Sequence, residues 1–196
     1  MIDTAILQIA AQLNQALKRG FGVGEDLVVV SNLHEQEGGV ATHVANKLAV
    51  FLVNIERDTL PQPAMRGGLG GSGRAVRSAP PVCLNLMVMF AANFSGNTYP
   101  EALKFIASTI GFFQSRPLFD HHNTPDLDRR IDRLTLDIEN LGVGDLASLW
   151  GMLSGKYLPS VLYRLRMVCI DGDQIDAQPA RVSQPQVGAQ PAGALR

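Results

Sequence analysis

The stretch Val82-Cys83-Leu84-Asn85-Leu86-Met87-Val88-Met89-Phe90-Ala91-Ala92-Asn93-Phe94 decides the fold. From Cys83 to Ala92 every residue except Asn85 is apolar. Side chains alternate across an extended chain, so both faces of this segment are greasy. Such a strand is stable only when covered on both sides, which makes it the central strand of a layered domain. Its longest uninterrupted apolar run, Leu86 to Ala92, is seven residues, too short to span a bilayer.

A second two-sided strand precedes it. In Lys47 to Glu56, Leu48, Val50, Leu52 and Asn54 share one face, and Ala49, Phe51, Val53 and Ile55 the other. Both faces are again expected to be covered. Leu27 to Ser31 is a short β-branched strand. Thr4 to Lys18 has helical period: Ile6, Ile9, Ala10, Leu13 and Leu17 form one stripe, with Asp3 or Thr4 to cap it and Gly20 to end it. After the central strand, Thr98 and Pro100 open a second helix with Leu103, Ile106, Ala107, Ile110 and Phe113 as its buried stripe. Phe105 and Phe112 give that helix a second apolar side, and Arg116-Pro117 stops it.

Asp120 to Asp128 reads as a polar loop. Arg133 to Leu141 is a half-exposed strand with Leu134, Leu136 and Ile138 inward. Leu146 to Leu153, opened by Asp145, is a short helix carrying Trp150. Pro159 to Asp171 is the last strand, with Arg164 and Arg166 on one face and Tyr163, Leu165, Met167 and Cys169 on the other. The order of elements predicts an α+β domain over residues 1–171, built on a mostly antiparallel or mixed sheet with helices packed on one face.

Two segments stand apart by composition. Arg57 to Pro81 holds four prolines, five glycines and four arginines against the single acid Asp58, so it reads as a long, mobile, basic loop. Residues 172–196 are rich in Gln, Pro and Ala and read as a disordered tail.

At 196 residues the chain has room for one sizeable core. A net charge of −1 gives no field to draw in nucleic acid or an anionic membrane. The N-terminus lacks the basic start of a secretory signal, which predicts cytoplasmic synthesis. Cys83 and Cys169 lie in strand-like segments and are read as buried free thiols.

Catalytic chemistry finds little support. Gly68-Leu69-Gly70-Gly71-Ser72-Gly73 matches the spacing of a dinucleotide fingerprint, but Pro61 and Pro63 precede it and Pro80-Pro81 follows. No helix starts there to present N–H groups to a pyrophosphate. Ser72 lacks the following glycine of a nucleophile elbow, because Arg74 occupies that place. Asp120-His121-His122-Asn123 has no second histidine pair at helical spacing, and His34 and His43 lie elsewhere, so no metal site is expected. The basic loop has no interleaved aromatics to stack bases. No catalytic residue, cofactor or metal is therefore assigned. Aromatic, apolar and turn residues instead concentrate between Tyr99 and Tyr163, which suits a part that packs against copies of itself or other proteins. The candidate interface residues are Arg57, Arg66, Arg74, Arg77, Tyr157, Arg164 and Arg166.

Several uncommon motifs arrive in a fixed order: Leu52-Val53-Asn54-Ile55-Glu56, Pro80 to Leu86, Phe90-Ala91-Ala92-Asn93-Phe94, and Tyr99 with Glu101-Ala102-Leu103. Gly111-Phe112-Phe113-Gln114, Pro117-Leu118-Phe119, Leu149-Trp150 and Tyr157-Leu158-Pro159-Ser160-Val161-Leu162-Tyr163 follow. Over roughly residues 3 to 171 the chain thereby resembles the N-terminal domain family of cap, or tail-terminator, proteins of phage-tail-like contractile injection systems of the antifeeding-prophage and virulence-cassette type. The resemblance implies an α+β fold similar to phage tail terminators and a structural role, with no enzyme activity. It implies a hexameric ring closing the distal end of tube and sheath. The implied partners are further copies of the chain and the tube and sheath proteins, with no nucleic acid and no membrane insertion, in a particle that can be released from the cell. Some relatives carry an extra C-terminal domain where this chain has its tail. A baseplate or tube-associated adaptor of the same particle is the alternative, and a nucleotide-binding enzyme using the glycine-rich loop a further one.

The glycine-rich segment yields a direct test. Titration with NAD or ATP up to millimolar ligand is expected to show no saturable binding. Binding that disappears in Gly70→Ala and Gly73→Ala would restore the nucleotide-binding alternative.

Overall fold

The computed structural model describes residues 1–33, 42–59, 77–78, 82–94, 96–153, 156–170 and 175–177. The chain divides into two compact units, one of residues 1–59 and 82–170, the other of residues 60–81 and 171–196. In chain order the elements are α1 (Ile2–Phe21), β1 (Val28–Val30), β2 (Lys47–Arg57), β3 (Arg77–Ser78), β4 (Val82–Asn93), α2 (Tyr99–Ser115), β5 (Leu118–Asp120), β6 (Arg133–Ile138), α3 (Val143–Met152), β7 (Ser160–Ile170) and β8 (Ile175–Ala177). In the second unit, β3 and β8 pair antiparallel. The glycine-rich segment, Arg66, Arg74 and most of the tail lie outside the described residues.

The first unit is an α+β layer structure. Its sheet has six strands in the order β1-β2-β4-β7-β6-β5. β1 runs parallel to β2 and every other pairing is antiparallel, so the sheet is mixed. β4 lies between the two other long strands and is buried from Leu86 to Ala92. Its even-numbered residues Leu86, Val88, Phe90 and Ala92 join the core beneath α1 and α2. Met87, Met89 and Ala91 face the other way, against Ala49, Phe51, Leu162 and the α3 residues Leu149 and Trp150. The two long helices thus share one face, and the short α3 covers part of the opposite one.

α1 buries the expected stripe, Ile6, Ile9, Ala10, Leu13 and Leu17, together with Ala5. Its ends differ from expectation. The helix already starts at Ile2, and it runs past Gly20 to Gly22. Gly22 has φ +67°, a left-handed conformation that costs a glycine nothing, and its N–H caps Lys18 O. Thr4 Oγ1 donates to Met1 O at 2.9 Å and to Asp128 Oδ2 at 3.2 Å, tying the start of α1 to the loop before β6. Arg130 grips the same carboxylate, which holds Asp128 well below the usual carboxylate range. Asn14 fixes the middle of α1 to the edge strand. Its Oδ1 accepts the backbone N–H of Leu27 at 2.9 Å and of Val28 at 3.1 Å.

The buried side of α2 is rotated from the expected stripe. Ala102, Phe105, Thr109 and Phe113 are buried, whereas Leu103 is 48% exposed. The helix is apolar on two sides, so its period alone does not choose between them. The aromatics choose. Phe105 packs on Phe21 and Phe94, each at 4.8 Å between ring centroids. Phe113 lies 5.2 Å from Phe90 and 5.0 Å from Tyr163. Large rings gain more from burial than Leu103 or Ala107 would. Burial in this cluster pushes the Tyr163 hydroxyl up to about 12.

Three strand expectations are corrected. β2 is buried only in its first half; Leu52 and Ile55 are exposed, one before and one after a register shift at Val53. β6 ends at Ile138, which is 43% exposed because it is the last residue of its pairing. In β7 the register shifts as well: Arg166 pairs with Asn85 and Val168 with Leu84, leaving Met167 between them. A bulge of this kind reverses the alternation. Val168 therefore joins the core with Tyr163 and Leu165, and Cys169 does not.

That shift sets Cys169 directly opposite Cys83, with Cα atoms 4.0 Å apart, and the two are joined as a disulfide. The expectation of free thiols fails because the sequence gives no sign of the bulge that aligns them. β5 was not anticipated either. Among the described residues, no helix is long and apolar enough to cross a membrane.

Two measurements follow. Thiol titration in denaturant is expected to find no free cysteine before reduction and both cysteines after it; reactive thiols without reductant would return Cys83 and Cys169 to the free state. Trp150, 3% exposed, fills the core under α3. Trp150→Ala should cost about 3–5 kcal/mol by thermal or urea unfolding. Trp150→Phe should cost less than about 1.5 kcal/mol, since it keeps most of the volume.

Candidate assembly interface

The side of the sheet away from α1 and α2 holds an unusual set of polar groups. Cross-strand partners share a face. Arg164 is opposite Met87 on β4 and Asp137 on β6, and Arg166 is opposite Asn85 on β4 and Thr135 on β6. Glu56 on β2 pairs with Asn85 in turn. Beyond α3 the apolar core gives way to this row of mixed charge. Arg164 Nη2 meets Glu139 Oε2 at 2.9 Å, with both side chains about one-third exposed. Half-exposed pairs of this kind contribute little to stability.

Five side-chain polar atoms are buried without a hydrogen-bond partner among the described residues: Asn85 Oδ1, Trp150 Nε1, Ser160 Oγ, Arg164 Nε and Arg166 Nε. All five belong to residues on this one side of the sheet. Asn85 is 4% exposed, and its only anticipation in the sequence was that it interrupts an apolar strand. An unpaired buried polar atom costs about 1–3 kcal/mol, so such atoms are rare in folded proteins. The side under α1 and α2 has none among the described residues.

The expected interface residues separate. Arg164 and Arg166 stand together on the open side. Tyr157 is 57% exposed and meets Trp150 edge-on at 5.9 Å, next to the same core. Arg57 is exposed, opposite Leu84, on the helix side. Arg77 lies in β3 of the second unit. Arg66 and Arg74 fall outside the described residues. Asn85, Glu56 and Glu139 were not anticipated, because their roles depend on strand register.

The histidine pair sits in a turn. Asp120 Oδ1 accepts the backbone N–H groups of His122 and Asn123, and Asn123 Nδ2 donates to Leu118 O. These bonds account for the polar run around His121 without a ligand, and the neighbouring amides hold the Asp120 carboxyl below its ordinary range. Among the described residues no group of three His, Cys, Asp or Glu could hold a metal ion. Chemically this side offers a mixed-charge set, Arg164 and Arg166 with Glu56, Asp137 and Glu139, and Tyr157 beside Trp150.

Two solved structures share the fold. One is the cryo-EM structure of an extracellular contractile injection system, PVC sheath/tube terminator in extended state, with a TM-score of 0.62, 13% identity, and coverage of 97% of this chain. The other is the cryo-EM structure of the anti-feeding prophage cap, the AFP tube terminating cap, with a TM-score of 0.58, 17% identity and coverage of 95% of this chain. The chain spans 65% and 63% of the length of those two proteins. A comparison with curated proteins returns no match. Residues 5–184 match the sequence profile of the family described as the Pvc16 N-terminal domain. That span takes in almost the whole chain, and the chain belongs to the Pvc16 N-terminal domain family.

Proposed function

We propose that this chain is a structural cap that terminates the tube and sheath of a contractile injection particle. The observation that carries the proposal is the coincidence of the family match over residues 5–184 with a fold like those of a sheath/tube terminator and a tube terminating cap. Its partners are then tube and sheath subunits and other copies of itself, in the hexameric ring that the resemblance implies. It performs no covalent chemistry. It is made in the cytoplasm and becomes part of the particle, with which it is released.

The physical task is to stop a polymer. A growing tube or sheath end presents the same surface after every added ring, so growth has no internal stop. A terminator matches that end on one side and offers no matching end on the other. The two sides of this sheet differ in the required sense: one is closed by α1 and α2, and the other keeps unsatisfied polar atoms. Arg164, Arg166 and Tyr157 are assigned to the contact surface of the first unit. Arg57, Arg66, Arg74 and Arg77 are assigned to docking against acidic subunit surfaces.

Particles made without this chain should vary in tube or sheath length or fray at the distal end, as seen by negative-stain electron microscopy. Supplying the chain should restore one length, with label at the end opposite the baseplate. Particles of normal length and stability in its absence, or label at the baseplate alone, would sink the proposal.

A further inference from the structure

We infer that the Asn123 side chain stands in for a further strand on β5 and closes that edge of the sheet against strand addition by a second copy of the chain. The inference goes beyond the cap proposal and concerns the isolated chain.

β5 is an outermost strand, and in the six-stranded sheet it pairs with β6 alone. An outermost strand presents a row of N–H and C=O groups that can template another chain. The ladder fixes which groups those are. Leu136 N–H donates to Pro117 O at 2.9 Å, so Pro117, and with it Phe119, turns its backbone groups toward β6. Backbone groups alternate in direction along an antiparallel strand. The N–H and C=O of Leu118 and of Asp120 therefore point away from the sheet. Leu118 is also 38% exposed, so this edge carries an apolar side chain beside its polar backbone.

The turn after β5 occupies most of that row. Asn123 Nδ2 donates to Leu118 O at 2.9 Å, and Asp120 N–H donates to Asn123 Oδ1 at 3.1 Å. Thr124 N–H donates to Asp120 O at 2.8 Å. A residue of a parallel strand would make the first two bonds in the same way, donating to one residue and accepting from the next but one. The carboxamide is held in this pose. The hydroxyl of Thr124, which is 1% exposed, donates to Asn123 Oδ1 at 2.8 Å. Asp120 Oδ1 accepts the N–H groups of His122 and Asn123 and so folds the turn back on the strand. The run Asp120 to Asn123 thereby gains a purpose that uses neither histidine side chain. At the opposite edge, Asn14 supplies only an acceptor, to the N–H groups of Leu27 and Val28, so the two-way mimicry belongs to β5.

The event barred is specific. Without the carboxamide, two copies of β5 can pair antiparallel about Phe119, with Leu118 of each opposite Asp120 of the other. Asp120 O can accept this second bond, because a carbonyl has two lone pairs.

The test uses the full chain in sedimentation velocity over a concentration series. Asn123→Ala is expected to self-associate at least about tenfold more tightly than the wild type. His121→Ala should match the wild type, since that side chain makes none of these bonds. By hydrogen exchange, the Leu118 amide of Asn123→Ala should gain protection that rises with protein concentration. Adding Leu118→Pro to Asn123→Ala removes the outward N–H, a change an edge strand tolerates, and should return self-association to the wild-type level. Association caused by partial unfolding would not respond in that way. Unaltered association in Asn123→Ala, association that persists with Leu118→Pro, or a Leu118 amide indifferent to concentration would overturn the inference. Loss of the near-ultraviolet circular dichroism of the fold in Asn123→Ala would overturn it too, since Asn123 would then serve the fold and not its edge. None of these outcomes bears on particle length, so the cap proposal stands or falls separately.

Discussion

An apolar strand with two greasy faces cannot be left half covered, and β4 imposes that constraint on everything around it. Leu86, Val88, Phe90 and Ala92 need one layer, and Met87, Met89 and Ala91 need another. α1 and α2 provide the first, and α3 with Leu33 and Val44 provides the second. The aromatic cluster follows from the same demand. Phe90 stands at the middle of β4, and Phe113 and Tyr163 close on it from α2 and β7. The register of the two strands beside β4 then determines which residues meet on the outside.

The two coverings are unequal. Among the described residues, two helices of 20 and 17 residues lie over one side, whereas a single helix of 10 residues lies over the other. Beyond that short helix stand Arg164, Arg166, Asn85 and Glu56; Arg164 is paired with Glu139, and Asn85 Oδ1 and both arginine Nε atoms have no partner among the described residues. A chain selected for solitary stability would place apolar side chains there and lengthen α3. Retaining unpaired polar atoms at one place accords with a chain whose folded state is completed by a neighbour.

Much of this was legible in the residues. Strong alternation and two-sided apolar runs located β2, β4 and β7, and the stripe from Ile6 to Leu17 located α1. The expected α+β class with a mixed sheet agrees with the observed topology. What could not be read was whatever depends on a partner strand. The shifts at Val53 and Met167 are single-residue events without a signal such as glycine or proline, yet they move Ile55 and Cys169 to other faces. The rotation of α2 turned on rings contributed by β4, β7 and α1. The open side itself was half visible: Arg164 and Arg166 share a face by simple alternation, but Asn85 and Glu139 join them only through pairing.

The bond between Cys83 and Cys169 has a topological consequence. It closes a covalent ring 86 residues apart in sequence, which contains β4 through β7 with α2 and α3 between them. A backbone cut anywhere inside that ring opens the ring but does not divide the molecule, whereas one cut outside it leaves two pieces held together by packing and strand pairing alone. The four-strand core of the sheet is thereby insured against a single nick, and α1, β1 and β2 on one side and the C-terminal segment on the other are not. After a single break, β4 and β7 stay joined covalently, whereas α1, β1 and β2 stay only by their packing and pairing.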